Sequence, residues 1–172
     1  PKAQSMSKAN WVHRGPFNVG GRTRALAMDV LDENILFAGG VTGGMYRSVN
    51  GGQSWDLTTD PNQLHNVTCI SQDKRQGKEN VWYFGSGENR GGWLGDVSFL
   101  GNGVFKSVDG GLSWDSLPIT MSNTPQSVDH DFDFVWNLVT DQSNDSLDVV
   151  YAATHGDIYR SEDGGTSWSK QL

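Results

Sequence analysis

The chain has 172 residues, a mass of 18.8 kDa and a formal net charge of −7, which is the size of one domain or of part of a larger one. An acidic chain without a basic run is a poor candidate for binding nucleic acid or an anionic membrane. Its seven tryptophans, seven phenylalanines and four tyrosines exclude disorder for most of the chain, because disordered chains are poor in aromatic residues. The 22 glycines, together with the tryptophans, indicate short strands joined by tight turns.

Two further classes are excluded by the sequence. Cys69 is the single cysteine, so the chain has no internal disulfide. No apolar run approaches the ~18 residues that span a bilayer, so we expect no membrane insertion. No cofactor motif is present either, and we expect no cofactor.

The N-terminal segment, residues 1–21, contains one strand-like stretch near residues 10–16. Its Trp11 is followed by alternating residues, like the tryptophan-led stretch that begins at Trp114. We interpret it as an outer strand that belongs to a sheet not formed by the rest of this chain. The alternative is that Trp11 only covers the core.

The rest of the chain contains a threefold repeat, whose clearest part is an octet at residues 48–55, 107–114 and 161–168. Each octet reads Ser, any residue, Asn or Asp, Gly-Gly, any residue, Ser, Trp. Three strand-like runs precede each octet and one begins at its tryptophan. Tandem units of four strands and roughly 40–55 residues are typical of propeller blades.

The sequence therefore predicts an all-β fold, a β-propeller with three four-stranded antiparallel blades. We expect blade 1 over residues 22–60, blade 2 over 61–120 with an insertion at 88–100, and blade 3 over 121–172, all in one domain. Since propellers have four to eight blades, these three predict an incomplete ring of six to eight. The remaining blades would come from the same protein or from another copy of the chain.

Each octet lies between the third and fourth strands and is predicted to be a hairpin turn. Paired glycines supply positive φ, and the Asp or Asn accepts hydrogen bonds from turn amides. The tryptophan is expected to cover the hairpin and pack between blades. Asn50 in the first copy favours a structural over a catalytic role. The structural positions are Ser48, Asn50, Gly52, Trp55, Ser107, Asp109, Gly111, Trp114, Ser161, Asp163, Gly165 and Trp168.

These octets resemble the Asp-box, or bacterial neuraminidase repeat, of sialidases, sortilin-type domains and xyloglucanase-type propeller glycosidases. The stretch from Gly15 to Arg22 is similar to the first blade of large secreted propeller proteins of Bacteroidota, which are exported by type IX secretion. The resemblance implies a secreted or cell-surface location. It also implies partners among type IX secretion or outer-membrane surface proteins.

The insertion in blade 2 is the best candidate for a ligand site. It combines an aromatic ring with charges, which is the chemistry of glycan or peptide recognition. The alternative is that Trp93 packs with its neighbours under the loop as a small satellite core. The candidate ligand residues, including two from other loops on the same face, are Glu88, Arg90, Trp93, Asp96, His155 and Arg22.

Two acidic clusters are candidate calcium sites, with a polar turn as the alternative for each. Residues 129–133 alternate carboxylates along what we predict to be one side of a strand. Asp141 and Asp145 lie in a stretch that resembles half a calcium loop but lacks its central glycine and closing glutamate. No histidine spacing matches a zinc site, so we expect no other metal.

Glycoside hydrolysis needs two positioned carboxyl groups. The sequence motifs that accompany them in sialidases and xyloglucanase-type enzymes are incomplete in this chain. The Arg-Ile-Pro motif of sialidases is absent. Where xyloglucanase-type enzymes have an Asp before the first blade's Gly-Gly-x-Tyr-Arg, this chain has Val41 and Thr42. We therefore expect a non-catalytic module for glycan or peptide binding or for assembly. The alternative is a glycoside hydrolase-type propeller whose catalytic carboxylates lie partly in other blades.

Overall fold

The structure is a computed structural model that describes residues 22–63, 66–89, 99–124 and 126–172. Within these ranges, twelve strands form three four-stranded antiparallel sheets. The same ranges contain no helix that is long and apolar enough to cross a membrane.

Each sheet is a meander in which consecutive strands pair. The strands of blade 1 are β1 (Thr23–Met28), β2 (Leu36–Gly40), β3 (Gly44–Ser48) and β4 (Asp56–Leu57). Those of blade 2 are β5 (Val67–Gln72), β6 (Trp82–Ser86), β7 (Val104–Ser107) and β8 (Asp115–Ser116). Those of blade 3 are β9 (Val135–Thr140), β10 (Val150–Thr154), β11 (Ile158–Ser161) and β12 (Ser169–Lys170).

The hydrophobic core lies in two seams between the blades. In the seam between blades 1 and 2, Phe37 packs against Trp82 with ring centroids 4.5 Å apart, and Phe84 stacks on Phe105 at 4.6 Å. The seam between blades 2 and 3 buries Tyr83, Val104, Phe132, Leu138 and Val150. Because a sheet buries each face against a neighbour, strand β6 in the middle blade is buried at every residue.

Close approach of the blades depends on glycine at one position of the second strand. A Cβ on Gly39 would lie 2.5 Å from the Val67 side chain, and one on Gly85 would lie 2.5 Å from Val135. Each glycine thus lets the inner strand of the following blade approach closely. Accordingly, β1 contacts β5 and β5 contacts β9 around the axis side of the molecule.

This arrangement confirms the predicted fold class, because the described residues form three four-stranded blades of an incomplete β-propeller. Two detailed expectations were wrong. The predicted strand at residues 129–133 contains a 3-10 turn, Asp131–Asp133, in which Asp133 is buried. The octet tryptophans do not all pack between blades, since Trp114 is 4% exposed but Trp55 is 37% exposed.

Candidate binding site on the loop face

The octets form three turns with nearly identical hydrogen bonding. In the second, the Ser107 hydroxyl donates to Asp109 Oδ1 at 2.7 Å and accepts from the Gly111 amide at 2.8 Å. The Asp109 carboxylate also accepts from the Ser113 amide at 3.1 Å and its hydroxyl at 2.6 Å. In the first turn the last bond is reversed, because the Asn50 amide group donates to Ser54 Oγ at 2.8 Å.

The aspartates of these turns are held ionised. Burial would raise the pKa of Asp109, but the hydrogen bonds from Ser113 and Ser107 outweigh it and lower the pKa to about 2. The pKa of Asp163 is lowered to about 2 in the same way, by Ser167 and Ser161. A carboxylate engaged in this manner has no proton to donate at neutral pH and cannot act as a general acid. The contacts that it makes in the structure are those that hold the turn.

The octet turns share one face of the molecule with the loops between the first and second strands. The backbone amide of the first glycine of each octet donates to the carbonyl oxygen of the residue two positions before the second strand. These bonds join Gly51 to Asn34, Gly110 to Asn80 and Gly164 to Asp148, at 2.8–3.0 Å. The opposite face, which we call the loop face, carries the β2–β3, β6–β7 and β10–β11 loops.

On the loop face, two of the predicted ligand residues meet in an ion-pair cluster. Glu88 is buried, and its carboxylate pairs with the guanidinium groups of Arg22 and Arg24, the latter at 3.3 Å. A backbone bridge to Phe99, with both N–H···O distances 2.8 Å, fixes Glu88 in place. Two arginine side chains, exposed by 39% and 46%, oppose one carboxylate, so the cluster presents net positive charge to solvent.

A bulge recurs at the same register position in all three inner strands. The pairing with the second strand skips one residue in each, which is Arg24 in β1, Thr68 in β5 and Trp136 in β9. A bulge redirects a side chain and is common beside functional sites. These three residues, which we call the bulge triad, line one groove of about 320 Å³ between the inner strands.

The bulge triad differs in chemistry from strand to strand. Arg24 brings a cation, and Trp136 is 47% exposed, which leaves part of its ring open to the groove. Thr68 is buried, and its hydroxyl lies 2.5 Å from the Val135 carbonyl oxygen of the next blade. Exposed Asn137 adds an amide. The groove thus offers a cation, a half-open indole and a carboxamide, which suit a ligand with both an anionic and an apolar part.

His155 lies beside Trp136 of the bulge triad and not in the ion-pair cluster. Its ring is edge-on to Trp136 with centroids 6.1 Å apart, and 5.6 Å from Phe134. Its backbone amide donates to the Phe134 carbonyl oxygen at 3.0 Å. The order along the loop face is therefore Glu88 with its arginines, then the bulge triad, then His155.

The other predicted ligand residues, Arg90, Trp93 and Asp96, lie outside the described residues. The predicted strand near residues 10–16 lies outside them as well. The ligand role of the insertion and the rival satellite core both stay predictions.

Sequence reasoning missed Arg24, Thr68 and Trp136. The repeat does relate these three residues to each other, because each directly precedes one of the aligned inner-strand residues Ala25, Cys69 and Asn137. An extra residue reverses the alternation of side chains, but each inner strand has only one residue before its bulge, which is too few for the reversal to show in the sequence.

The acidic clusters serve local structure in the described part of the chain. Asp131 accepts a hydrogen bond from the Tyr159 hydroxyl at 2.5 Å, and this bond, with burial, raises the pKa of Tyr159 to about 12. Asp133 accepts from the amides of Asp129 and His130, both at 2.8 Å. Asp141 accepts from the Ser143 amide and hydroxyl, which lower its pKa.

Asp145 is exposed near the end of the same turn. Among the described residues, no group of three or more histidine, cysteine or acidic side chains is gathered closely enough to hold a metal ion.

No family model and no curated protein matches the chain, but solved structures do. An ancestral GH74 enzyme is 24% identical with a TM-score of 0.63, over 88% of this chain and 18% of that one. The GH74 xyloglucanase from Xanthomonas campestris is 21% identical with a TM-score of 0.59, over 86% and 21%. YCF48 bound to D1 peptide is 16% identical with a TM-score of 0.54, over 87% and 40%.

These likenesses agree with the strand topology and define the class of the protein, which is a β-propeller. The chain spans between about a fifth and two fifths of the length of these structures. The particular activity is not given by the fold, because one fold hosts many functions.

Proposed function

We propose that this chain is a non-catalytic recognition module that binds an extended peptide in the groove formed by the bulge triad. The observation that carries the proposal is the recurrence of the bulge, which places one residue from each blade along the same groove and exposes Arg24 and Trp136 there. A carboxylate of the peptide would pair with Arg24, and an apolar or aromatic side chain would stack on Trp136.

The ion-pair cluster supports this assignment through its charge. Glu88 holds Arg22 and Arg24 in fixed positions, so a ligand carboxylate meets guanidinium groups that have already lost much of their freedom. Preorganised groups bind more tightly because less entropy is lost on binding. The YCF48 structure is a propeller with a bound peptide, which supports a peptide as the first ligand class to test.

A glycan is the second ligand class, favoured by the open indole of Trp136, since an aromatic ring stacks on the apolar face of a sugar. Two array experiments separate the classes: labelled protein is applied to a tiled peptide array and to a glycan array. Arg24→Ala and Trp136→Ala should each weaken binding at least tenfold on the array that gives a signal. Lys74→Ala, an exposed change at the turn end of blade 2, is the control and should bind normally.

The insertion is tested in parallel by Trp93→Ala. Lost binding with unchanged folding supports its role as part of the recognition surface. Unchanged binding with lost stability supports the satellite core.

The alternative is a glycoside hydrolase-type propeller, a reaction class suggested by the GH74 structures. It requires a carboxylic acid that can donate a proton and a second carboxylate across the scissile bond. Both oxygens of Glu88 are engaged by arginines, which leaves binding as the better-supported function. Release of reducing ends from xyloglucan by the purified chain, abolished by Glu88→Gln, would favour the hydrolase instead.

The Asp-box assignment, secretion or cell-surface exposure, and the type IX partners remain part of this proposal and rest on the sequence resemblance. The octet hydrogen bonds support the Asp-box assignment. Fractionation of the source cells tests the location, with the protein expected in the medium or on the outer surface.

A further inference from the structure

A second pocket lies in the internal seam between blades 2 and 3. Its volume is about 310 Å³, and it shares no lining residue with the groove of the bulge triad. One wall belongs to blade 3, and the other belongs to the segment between β8 and β9, which joins the two blades. We call it the aromatic pocket, because Phe132, Tyr159 and Trp168 form three of its sides.

The corresponding corner of the seam between blades 1 and 2 is closed. There the Phe84 ring lies 4.6 Å from Phe105 and 4.8 Å from Trp114, measured between centroids. Trp114 is 4% exposed, and its indole N–H donates to the Thr58 hydroxyl across the seam at 2.9 Å. Packed rings and one hydrogen bond therefore fill this corner.

The same corner in the second seam is built differently. Ala152 pairs with Tyr159 where blade 2 has a phenylalanine in its second strand. Phe132, from the joining segment, supplies the missing ring and lies 4.8 Å from Tyr159 and 5.4 Å from Trp168. The Trp168 indole N–H donates to the Gly165 carbonyl oxygen of its own turn at 3.0 Å. The three rings thus stand around an open space.

A carboxylate gives this aromatic space a negative charge. Asp131 Oδ2 accepts from the Tyr159 hydroxyl at 2.5 Å, while no described residue donates to its Oδ1. Exposed Asp129 also lines the pocket. In the described part of the chain, no lysine or arginine pairs with either carboxylate. Lys170, the strand partner of Tyr159, pairs with Asp157 instead.

The neighbouring backbone fixes the position of Asp131 and adds no positive charge. A Cβ on Gly156 would lie 2.4 Å from the Asp131 carboxyl group, so glycine at this position leaves room for the carboxylate. His130 Nδ1 accepts from the Phe132 amide at 3.2 Å. A histidine whose Nδ1 accepts a hydrogen bond is neutral, since both ring nitrogens of the charged form are donors.

We propose that the aromatic pocket binds an organic cation, an ammonium or guanidinium group carried on a short alkyl chain. Such a cation is attracted to the faces of aromatic rings, and more strongly where water is partly excluded. The free oxygen of Asp131 would accept its N–H in a charge-assisted hydrogen bond. A neutral sugar would leave that charge without a partner, and an anion would be repelled by it. The proposal goes beyond the peptide groove and does not depend on it.

The test is an NMR titration of the ¹⁵N-labelled 172-residue chain with n-butylammonium and n-butylguanidinium, and with n-butanol as the neutral match. The indole N–H signal of Trp168 should shift with each cation. That of Trp114, in the closed corner, should stay in place. Absence of any shift at Trp168 with both cations overturns the proposal. So does an equal affinity for n-butanol or for methyl glucoside.

Two carboxylate variants test the charge. Asp131→Asn keeps an oxygen for the Tyr159 hydroxyl and should weaken n-butylammonium binding at least about tenfold. Asp145→Asn makes the same charge change in another exposed turn and, as the matched control, should bind like the unchanged chain. Urea denaturation checks the folding of each variant.

Asp129→Asn keeps the test decisive if Asp131→Asn does not fold. Because Asp129 is exposed, its loss should weaken binding only about two- to fivefold. Affinity for n-butylammonium that is unchanged in every folded carboxylate variant of the pocket overturns the proposal. Arg24→Ala and Trp136→Ala should leave this binding intact, so failure of the peptide groove and failure of the aromatic pocket are seen separately.

The source of the cation is identified by the same titration with acetyl-Gly-Lys-Gly-amide and acetyl-Gly-Arg-Gly-amide. Tighter binding of either tripeptide than of the free alkyl cation assigns the pocket to a basic side chain of a polypeptide. Weaker binding of both assigns it to a small free amine. Either result confirms a cation site.

Discussion

At the scale of single residues, the third position of the octet explains why both Asp and Asn occur there. The turn needs an acceptor for the serine hydroxyl and for the backbone amide four residues later. Asn50 Oδ1 accepts from the Ser48 hydroxyl and from the Ser54 amide, both at 2.9 Å. The residue pattern of the octet was sufficient to predict this role. The bulge triad was not predictable, because its members share a position in space rather than a residue type.

Replacing Asp109 by alanine should lower the free energy of unfolding by about 1–2 kcal/mol, as loss of a capping side chain does. The reason is that the Ser107 hydroxyl and the Leu112 and Ser113 amides lose their acceptor. Urea denaturation measures the change. Asp109→Asn is the matched control and should cost less, since Asn50 fills the equivalent position in the first turn.

The pH dependence of stability should follow the octet aspartates. The pKa of Asp109 is about 2 in the folded chain, below the ordinary 3.8, so its stabilisation is complete above the ordinary pKa. That stabilisation is lost as the pH falls through about 2. Asp109→Asn should therefore flatten the dependence of the unfolding free energy between about pH 4 and pH 2, and Asn50→Asp should steepen it. Equal slopes for all three proteins would refute the assignment.

At the scale of elements, the octet turn also shapes the seam between blades. Gly111 has φ +76°, and a Cβ there would lie 2.3 Å from the Phe37 ring of blade 1. At Gly52, with φ +86°, the nearest atom would lie at 3.4 Å. The same turn therefore faces a neighbouring blade at Gly111 and an open side at Gly52. The double glycine in the sequence predicted the turn. Only the structure shows that Gly111 also leaves room for the Phe37 ring of the neighbouring blade.

Alanine at these two glycines should separate the backbone cost from the packing cost. Gly52→Ala should destabilise by about 1–2 kcal/mol, the cost of a left-handed conformation. Gly111→Ala should cost about 1–3 kcal/mol more because the seam is overpacked. Thermal or urea denaturation of both variants provides the comparison. Equal losses would contradict the seam contact.

A buried ionic cluster ties the turns of blades 2 and 3 together. Arg75 pairs with Asp73 inside its own turn, and donates to Asp148 at 2.7 Å and to the Leu147 carbonyl oxygen at 2.8 Å. The bond to Asp73 is the main reason that the pKa of Arg75 is raised. No pattern in the sequence indicates this cluster, because Arg75 and Asp148 are distant in the chain.

Arg75→Met should destabilise the chain by about 3–5 kcal/mol, because it leaves the buried Asp73 carboxylate without its partner. Adding Asp73→Asn to that variant should recover part of the loss. Chemical denaturation of the two single variants and the double variant gives the coupling energy. Additive losses would show that the pair is not coupled in the folded chain.

At the scale of the whole molecule, the blade count, strand order and antiparallel pairing followed from the repeat. They did so because each repeat is one sheet that must bury both faces. The groove lined by the bulge triad could not be predicted from the repeat, because it lies where three blades meet and no single repeat contains it.

The measurement that most directly tests this account is hydrogen exchange at the three octet turns. The amides of Gly111 and Gly165 lie against the neighbouring blade, at Phe37 and Leu117, whereas Gly52 faces Trp55 and Leu36 of its own blade. The amide of Gly52 should therefore exchange faster than those of Gly111 and Gly165. Equal exchange at all three turns would contradict the account.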